Sequence, residues 1–335
     1  MEPTPVIWAW AGFIVFVLAL LALDLGVFNK KVHAPSMKEA LGFTAFVMAL
    51  AVVFTAFVWV SHHNAWFGLG TYVDAVDGQV NDGRLAAVKF LTGYVIELSL
   101  SMDNVFVIAL IMAHLRVPLS LQHRVLFWGI LGALVMRGLM IGVGAALVAR
   151  YHWVLYVFGA FLAYTGVRML LTTDEDDAPG ESWVLGQLRE RFPVTEEFHG
   201  AHFVVWLNGR RWLTPLAVAL VLVETTDLIF AVDSIPAIFA ITADPFLVFT
   251  SNVFAILCLR SLYFGLAGLI ERFRYLKVSL SVILVLVGVK MLAAKWLFAR
   301  VGESLNFWML GLVAGILLVG ALASSIRPPA NKSSN

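Results

Sequence analysis

The sequence predicts an all-α membrane protein that crosses the bilayer nine times. Hydrophobic residues make up 61% of its 335 residues and charged residues only 13%, which is typical of polytopic membrane proteins and not of soluble domains. A membrane-spanning helix needs about 20 mainly apolar residues. Segments of that kind lie at 6–28, 39–61, 86–113, 124–149, 152–172, 214–240, 246–270, 276–298 and 304–326.

The flanks of the first segment and the distribution of basic residues predict the orientation. Met1–Pro5 contains an acid and no base, and Lys30 and Lys31 follow the apolar run, which favours a retained first helix over a cleaved signal peptide. If the N-terminus lies outside, most lysines and arginines fall in the inner connections, as the positive-inside rule requires. The C-terminus is then cytoplasmic.

We interpret residues 1–335 as a single membrane domain. Two connections are longer than the others: 62–85, and 173–213, which carries the acidic run "DEDD" and is predicted to be a cytoplasmic loop. Residues 299–335 are predicted to form the last helix and a tail. The net charge of +1 argues against nucleic acid as a partner.

Two segments inside predicted spans repeat the same acidic pattern. The stretches "ELSLSMDNVFV" (97–107) and "DLIFAVDSIPA" (227–237) both place an acid six residues before an aspartate that a small polar residue follows. The next span of each half carries one arginine, Arg137 or Arg260, and the span after that contains "GVRML" or "GVKML". Three features in the same order indicate an internal duplication.

The duplicated units cover 86–172 and 214–298, and each contains three predicted spans. Because three is odd, the second unit enters the bilayer from the opposite side, which gives an inverted repeat. In transporters, inverted repeats bring matching half-sites together near the membrane midplane, often on interrupted helices. Pro236 removes a backbone donor inside the sixth span and predicts such an interruption.

The six-residue spacing of the acids limits what one helix can do. Six residues of regular helix separate two side chains by about 120° around the axis and by about 9 Å along it. Either the helix is locally unwound, or each acid meets partners on a different neighbour. A crossing of the two acidic helices would let Asp103 and Asp233 converge, with Glu97 and Asp227 beside them.

Acidic and polar residues inside the predicted spans form the candidate site. The candidate metal ligands are Glu97, Asp103, Asn104, Glu224, Asp227 and Asp233. The supporting polar residues are Ser99, Ser101, Thr225, Thr226 and Ser234. Their ligand atoms are all oxygen, which suits the hard divalent cations Mg²⁺, Mn²⁺ and Ca²⁺. In the competing interpretation the acids form structural salt bridges with Arg137 and Arg260, which we expect to balance charge.

The direction of transport determines whether coupling is needed. Outward movement of a divalent cation against about 100 mV costs about 4.6 kcal/mol, so export needs coupling, and carboxylates that exchange metal for protons would provide it. Asp24, near the inner end of the first span, is either a gate acid or an interfacial residue. The motifs HExxH and GxSxG do not occur in the sequence, and we expect a protein that is not an enzyme.

Four segments of the chain match a known family: "YVIELSLSMDNVFV", "ETTDLIFAVDSIPAIFAIT", "DPFLVFTSNVFAILCLRSLYF" and "LVGVKML". They resemble the TerC family of bacterial integral membrane proteins, particularly its Alx-like branch. The resemblance implies a multi-pass protein of the inner membrane that exports Mn²⁺ and is linked to metal homeostasis and tellurium resistance. The acidic motif residues of the family would fall here on Glu97, Asp103, Asn104, Glu224, Asp227, Asp233 and Ser234.

Two functions remain open at this point. The first is a secondary transporter that exports Mn²⁺ by proton exchange at the intramembrane carboxylates. Its partners would be the metal ion, protons and the lipid bilayer, and it would hold no permanently bound cofactor. The alternative is a membrane scaffold that recruits tellurite-resistance or secretion partners through 173–213 and transports nothing itself. Substitution of Asp103 or Asp233 would abolish the first function, and deletion of the loop would abolish the second.

Overall fold

The computed structural model describes the backbone of residues 6–23, 37–171, 186–188, 190–207, 209–266, 274–302 and 304–326. Within these ranges, the side chains that lie outside the description are those of residues 23, 37, 103, 260, 266, 274–277, 295, 325 and 326. The expected gate acid Asp24 and the acidic run of the loop 173–213 also lie outside it.

The described chain is a bundle of helices with a short β-hairpin. Its elements in chain order are α1 (Val6–Leu23), α2 (Met37–His63), α3 (Gly83–His114), α4 (Leu119–Arg150), α5 (Val154–Leu171), β1 (Val204–Leu207), β2 (Arg210–Leu213), α6 (Pro215–Phe239), α7 (Pro245–Leu266), α8 (Arg274–Leu292), α9 (Ala294–Val301) and α10 (Ser304–Ile326). The two strands pair antiparallel, with Val204 opposite Leu213 and Leu207 opposite Arg210.

The helices fit an all-α, multi-pass membrane protein. Each of the nine predicted segments overlaps helix within the residues that the structure describes. Among the described residues, seven helices are long and apolar enough to cross a membrane. The apolar parts of α1 and α8, Val6–Ala22 and Val278–Leu292, are shorter than those seven. The structure therefore supports several spans, and the full count of nine stays a prediction.

The continuity of two helices differs from the prediction. α6 runs unbroken through Pro236, because the proline lies in the last turn, where one missing hydrogen bond disturbs little of the helix. The predicted span 276–298 divides at Ala293 into α8 and the short α9. In α9 the Arg300 guanidinium lies 4.8 Å from the ring centre of Trp296. Tryptophan and arginine are residues that prefer a membrane interface to its apolar centre.

Helices of the first predicted unit pack against helices of the second. α3 contacts α6 and α7, α4 contacts α6 and α7, and α5 contacts α8. The contact between α5 and α8 is a close approach of two backbones, since a Cβ on Gly288 would lie 2.7 Å from the Gly159 carbonyl oxygen. A Cβ on Gly166 would lie 2.8 Å from the carbonyl oxygen of Ser281. Small residues therefore set the distance between these helices.

Aromatic side chains pack α1 and α2 against this bundle. The ring centre of Phe13 lies 5.4 Å from that of Phe54 and 6.2 Å from that of Phe254. Phe54 and Phe254 lie 4.9 Å apart. α2 also contacts both α3 and α7. The first two helices therefore cover the α3–α7 pair with an apolar, aromatic layer.

Capping residues fix the starts of two central helices. Asp82 accepts a hydrogen bond from the N–H of Leu85 at 2.8 Å at the start of α3. At the start of α6, Thr214 accepts from the N–H of Ala217 at 3.4 Å and donates to the carbonyl of His202 at 2.7 Å. The caps satisfy backbone groups that a helix leaves free, and the bond to His202 holds the hairpin segment against α6.

Candidate ion-binding site

Three charged residues lie near the middle of long helices. At 1.5 Å per residue, Glu97 lies about 21 Å from the start of α3 and Arg137 about 27 Å from the start of α4, in helices about 48 Å long. Asp227 lies about 18 Å along α6, which is about 38 Å long. All three side chains are buried. Charged groups at this depth require partners.

The guanidinium of Arg137 joins one acid from each predicted unit. Its Nη2 donates to Asp227 Oδ1 at 3.0 Å and its Nε donates to Asp227 Oδ2 at 3.3 Å, which is a two-point contact with one carboxylate. Its Nη1 forms an ion pair with Glu97 Oε1. The same Nη1 donates to Asn252 Oδ1 at 3.0 Å and to Ser234 Oγ at 3.4 Å. With Asn104, whose Nδ2 donates to Asp227 Oδ1 at 3.4 Å, these residues form the Arg137 cluster: Glu97, Asn104, Arg137, Asp227, Ser234 and Asn252.

α3 presents one polar face to this cluster. Glu97, Ser101 and Asn104 follow the i, i+4, i+7 spacing, so they lie on the same side of the helix. Ser101 Oγ and Asn104 Oδ1 have no hydrogen-bond partner among the described residues. The same holds for both carboxylate oxygens of Glu97 apart from the ion pair with Arg137. Buried oxygen atoms without donors are suited to coordinate a cation.

The Arg137 cluster carries more negative than positive charge. Two carboxylates, Glu97 and Asp227, share one guanidinium, which stays protonated in proteins. In the part of the chain that the structure describes, no group of three or more histidine, cysteine, aspartate or glutamate side chains could hold a metal ion. The Arg137 guanidinium instead takes the position between the two acids from which a cation would neutralise both.

Asp233 lies on another side of α6 and meets α5. It forms a hydrogen bond with Thr165 and an electrostatic contact with Arg168. Because α6 is continuous from Asp227 to Asp233, each acid meets a different neighbour, which is the second of the two arrangements that their spacing predicts. The side chains of Asp103 and Arg260 lie outside the part of the chain that the structure describes. The expected convergence of Asp233 with Asp103 and the charge balance expected of Arg260 therefore stay predictions.

The remaining candidate ligands have other surroundings. The carboxylate of Glu224 lies against α4, where a Cβ on Gly132 would collide with it. The hydroxyls of Ser99 and Thr225 each donate to the carbonyl four residues earlier in their own helix, at 2.6 Å and 2.8 Å. Such back-bonding occupies the hydroxyl proton but leaves an oxygen lone pair. Thr226 is partly buried.

Asn252 is a member of the site that is not among the residues predicted from the sequence. It lies in α7, the helix that also carries Arg260, and its Nδ2 donates to the Val248 carbonyl at 2.9 Å. That bond turns its Oδ1 toward Arg137. The polar run Thr250-Ser251-Asn252 inside a largely apolar span is the signal that would have identified it, because polar groups at this depth are costly unless they are used.

A second buried charge cluster, also not among the predicted residues, lies near the start of α3. Lys89 Nζ lies 2.8 Å from Asp74 Oδ2 and 2.7 Å from Asp77 Oδ2, and it donates to Asn81 Oδ1 at 2.7 Å. Asp74 Oδ2 also accepts from Thr242 Oγ1 at 2.5 Å. Asn81 Nδ2 donates to Asp244 Oδ2 at 3.3 Å. The Lys89 cluster consists of Asp74, Asp77, Asn81, Lys89, Thr242 and Asp244, and Lys89 lies about 12 Å from Glu97 along α3.

Opposite effects act on two acids of the Lys89 cluster. Burial tends to raise the pKa of Asp74, but the Lys89 ammonium and hydrogen bonds from Lys89, Thr242 and the N–H of Val76 hold it below its usual value of 3.8. Burial and the neighbouring Asp74 raise the pKa of Asp244. The ionised pair of Asp74 and Lys89 is therefore the electrostatic centre of this cluster.

The Lys89 cluster joins several helix ends. Asn306 of α10 donates to Asp77 Oδ2 at 3.3 Å. Ala243, in the connection between α6 and α7, donates its N–H to Asp74 Oδ1 at 2.9 Å. Nearby, the buried Lys290 of α8 donates to the carbonyl of Ala240 at 2.6 Å. The connection before α3 is thus bound to the ends of α6, α7 and α10.

Comparison with known proteins assigns the family. A family model described as "Integral membrane protein TerC family" matches residues 83–332, which include the whole Arg137 cluster. The chain belongs to the TerC family. In Myxococcus xanthus, the "Uncharacterized membrane protein STKORF319" is 49% identical to this TerC family chain over 318 residues, which cover 95% of this chain and 92% of that protein.

Relatives named Alx cover the chain equally well. A Salmonella typhi protein named "Putative membrane-bound redox modulator Alx" is 44% identical over 317 residues, or 94% of this chain and 92% of that protein. A protein of Escherichia coli (strain K12) with the same name is 44% identical over 318 residues, or 94% of this chain and 93% of that protein. No solved structure matches the chain. The chain is therefore an Alx-like, multi-pass membrane protein of the TerC family.

Proposed function

We propose that this TerC family chain is a secondary transporter that exports Mn²⁺ from the cytoplasm across the bacterial inner membrane in exchange for protons. One observation carries the proposal: two buried carboxylates, Glu97 and Asp227, meet at the middle of the bundle around one guanidinium. Intramembrane acids are costly and mark pathways for ions and protons. An excess of negative charge at that depth favours a cation as the substrate.

The ligand atoms support a hard divalent cation. Ser101 Oγ and Asn104 Oδ1, which have no partner within the described ranges, add neutral oxygen atoms to the two carboxylates. Oxygen-only sites suit Mg²⁺, Mn²⁺ and Ca²⁺ more than Zn²⁺ or Cu⁺. The choice of Mn²⁺ among the three rests on the resemblance to the TerC family. The ion is cargo, and no resident cofactor or enzymatic step is proposed.

Proton exchange solves the energetic problem of export. Carboxylates that release the cation would take up protons, because an unpaired carboxylate is unfavourable in a low-dielectric interior. Exchange of one divalent cation for two protons moves no net charge. Export would then not work against the membrane potential, which otherwise costs about 4.6 kcal/mol per divalent ion at about 100 mV.

We propose further that 86–172 and 214–298 are inverted repeats that move relative to each other. Their packing supports this: α3 contacts α7 while α4 contacts α6, the pairing that an exchange of equivalent helices would give. The two acids on Arg137 occupy equivalent positions in the two repeated motifs. An external N-terminus and a cytoplasmic C-terminus follow from the positive-inside rule.

Flux measurements on purified protein in liposomes test the proposal. Uptake of Mn²⁺, Mg²⁺ and Ca²⁺ would be compared with and without an imposed pH gradient. We expect gradient-dependent Mn²⁺ flux that is lost in Glu97→Gln and Asp227→Asn, which keep the size and an oxygen acceptor. Glu196→Gln changes an exposed acid and is the matched control. Absence of flux in folded wild-type protein, or full flux in both variants, would reject the proposal.

The hairpin β1–β2 favours the second candidate function, a scaffold that recruits tellurite-resistance or secretion partners. Trp206 is exposed, and the Arg211 guanidinium lies 5.1 Å from its ring centre. Aromatic residues and arginine are enriched at protein interfaces. The double variant Trp206→Ser/Arg211→Ser should abolish a scaffold's tellurite-resistance phenotype in cells, whereas a transporter should keep both its flux and its phenotype.

A further inference from the structure

Arg137 contacts three helices besides its own. Its guanidinium meets Glu97 on α3, Asp227 on α6 and Asn252 on α7, and the residue is 1% exposed. The two acids are charged partners, whereas Asn252 and Ser234 offer neutral oxygen atoms at 3.0 Å and 3.4 Å. One cationic side chain therefore has an anionic and a neutral set of acceptors within reach.

A divalent cation and the Arg137 guanidinium cannot both be neutralised by the same two carboxylates. Glu97 and Asp227 together balance a divalent ion completely. The guanidinium, which does not lose its proton, would then be left without an anion beside a like charge, and such repulsion is strong in a low-dielectric interior. Cation binding therefore requires the guanidinium to leave the acid pair.

The neutral acceptors provide a place for the displaced group. Nη1 already donates to Asn252 Oδ1, so a small rotation of the side chain can exchange carboxylate contacts for amide and hydroxyl contacts. Asn252 is itself fixed, because its Nδ2 donates to the Val248 carbonyl at 2.9 Å. Glu97 shares one face of α3 with Ser101 and Asn104, whose Oγ and Oδ1 atoms have no hydrogen-bond partner among the described residues.

On the basis of the proposed function, we propose that Arg137 is an internal competitor of the transported cation. It occupies Glu97 and Asp227 when both are ionised and free of metal, and it moves onto Asn252 when a divalent cation binds or when protons neutralise the acids. A monovalent cation brings only the charge that Arg137 already supplies and gains nothing by displacing it. Arg137 is therefore a specificity-determining residue that selects divalent over monovalent substrates.

Equilibrium binding of Mn²⁺ to the purified full-length protein tests this role. Arg137→Gln should bind Mn²⁺ about tenfold more tightly than wild type, because the competitor is absent. Sodium ions in large excess should weaken Mn²⁺ binding to that variant and leave the wild type unchanged. Arg124→Gln removes another arginine of α4, whose guanidinium lies 5.8 Å from the ring centre of Phe203, and should leave the affinity unchanged.

Asn252→Ala separates the competitor role from a bracing role. In wild type it should weaken Mn²⁺ binding about tenfold, because the displaced guanidinium loses its acceptor. In the Arg137→Gln background it should have no effect. If Arg137→Gln does not fold, Arg137→Lys replaces it. A lysine cannot hold Asp227 at two points, so the Mn²⁺ affinity should rise and the effect of Asn252→Ala should shrink.

Each contrary outcome identifies which idea fails. Weaker Mn²⁺ binding by folded Arg137→Gln would overturn the competitor role and leave the transport proposal intact. An equal loss of affinity on Asn252→Ala in both backgrounds would also overturn it, by making Asn252 a ligand of the ion. Failure of the folded wild-type protein to bind any divalent cation would overturn the proposed function and, with it, this inference.

Discussion

Lys89→Met should destabilise the protein strongly. The substitution keeps an unbranched side chain of similar length and removes the ammonium group from the Lys89 cluster. Lys89 is fully buried, and its Nζ lies 2.8 Å from Asp74 Oδ2 and 2.7 Å from Asp77 Oδ2. Asn81 loses a 2.7 Å hydrogen bond in the same step. Both carboxylates stay buried and lose their shared cation.

The contacts of Lys89 determine the expected magnitude. Removal of one partner from a buried ion pair costs about 3–5 kcal/mol. One ammonium serves two acids here, and the two losses do not add because the acids share that partner. We therefore expect the free energy of unfolding to fall by about 4 kcal/mol. An exposed salt bridge would account for about 0–1 kcal/mol.

Equilibrium unfolding in mixed micelles, followed by the fluorescence of the 11 tryptophans, measures this difference. Lys38→Met changes an exposed lysine on α2 and should cost less than about 0.5 kcal/mol. The double variant Lys89→Met/Asp77→Asn should lose less stability than the sum of its single variants. A loss below about 1 kcal/mol for Lys89→Met, or simple additivity in the double variant, would refute the reasoning.

Two further predictions concern helix packing and pH. Gly288→Ala should cost about 1–3 kcal/mol in the free energy of unfolding, because its Cβ would meet the α5 backbone at 2.7 Å. Gly142→Ala, whose Cβ would meet nothing within 4 Å, is the control, and equal losses in both variants would contradict the packing argument. Asp74 has a lowered pKa, so its contribution to stability should be complete above its unfolded pKa of about 3.8 and should disappear as the pH falls through its lower folded pKa. The difference in unfolding free energy between wild type and Asp74→Asn, measured from neutral pH to about pH 3, should therefore shrink only in the acid range; a constant difference would show that Asp74 is not stabilised as a carboxylate.

The positions of the helices could be predicted because spanning length and hydropathy are local properties of the sequence. Within the described residues, each predicted segment overlaps one helix, except 276–298, which overlaps α8 and α9. Glu97 and Asp227 could be singled out for a similar reason, since an acid inside an apolar run is visible without knowledge of the fold. Neither property depends on which helices are in contact.

The partners of the side chains could not be predicted in the same way. Asn252 reaches Arg137 because α4 and α7 are in contact, and a single sequence contains no information about that distance. Asp74 lies in a polar connection and resembles a solvated acid, yet the fold buries it against Lys89. The effect of Pro236 depends on where α6 ends, and helix ends are the least predictable part of an element.

If the chain transports ions as proposed, the Lys89 cluster has a consequence for the speed of the transport cycle. It binds the connection before α3 to Thr242 and Asp244, between α6 and α7, and its Asp77 contacts Asn306 of α10. A passage that opens at this end of the bundle must first break buried hydrogen bonds to the carboxylates of Asp74, Asp77 and Asp244, which requires a large activation enthalpy because hydrogen bonds to charged groups are strong at low dielectric. We expect opening at this end to be the slow, strongly temperature-dependent step of turnover. Rate and ion selectivity would then be set at two places about 12 Å apart along α3, and substitutions at one should leave the other unchanged.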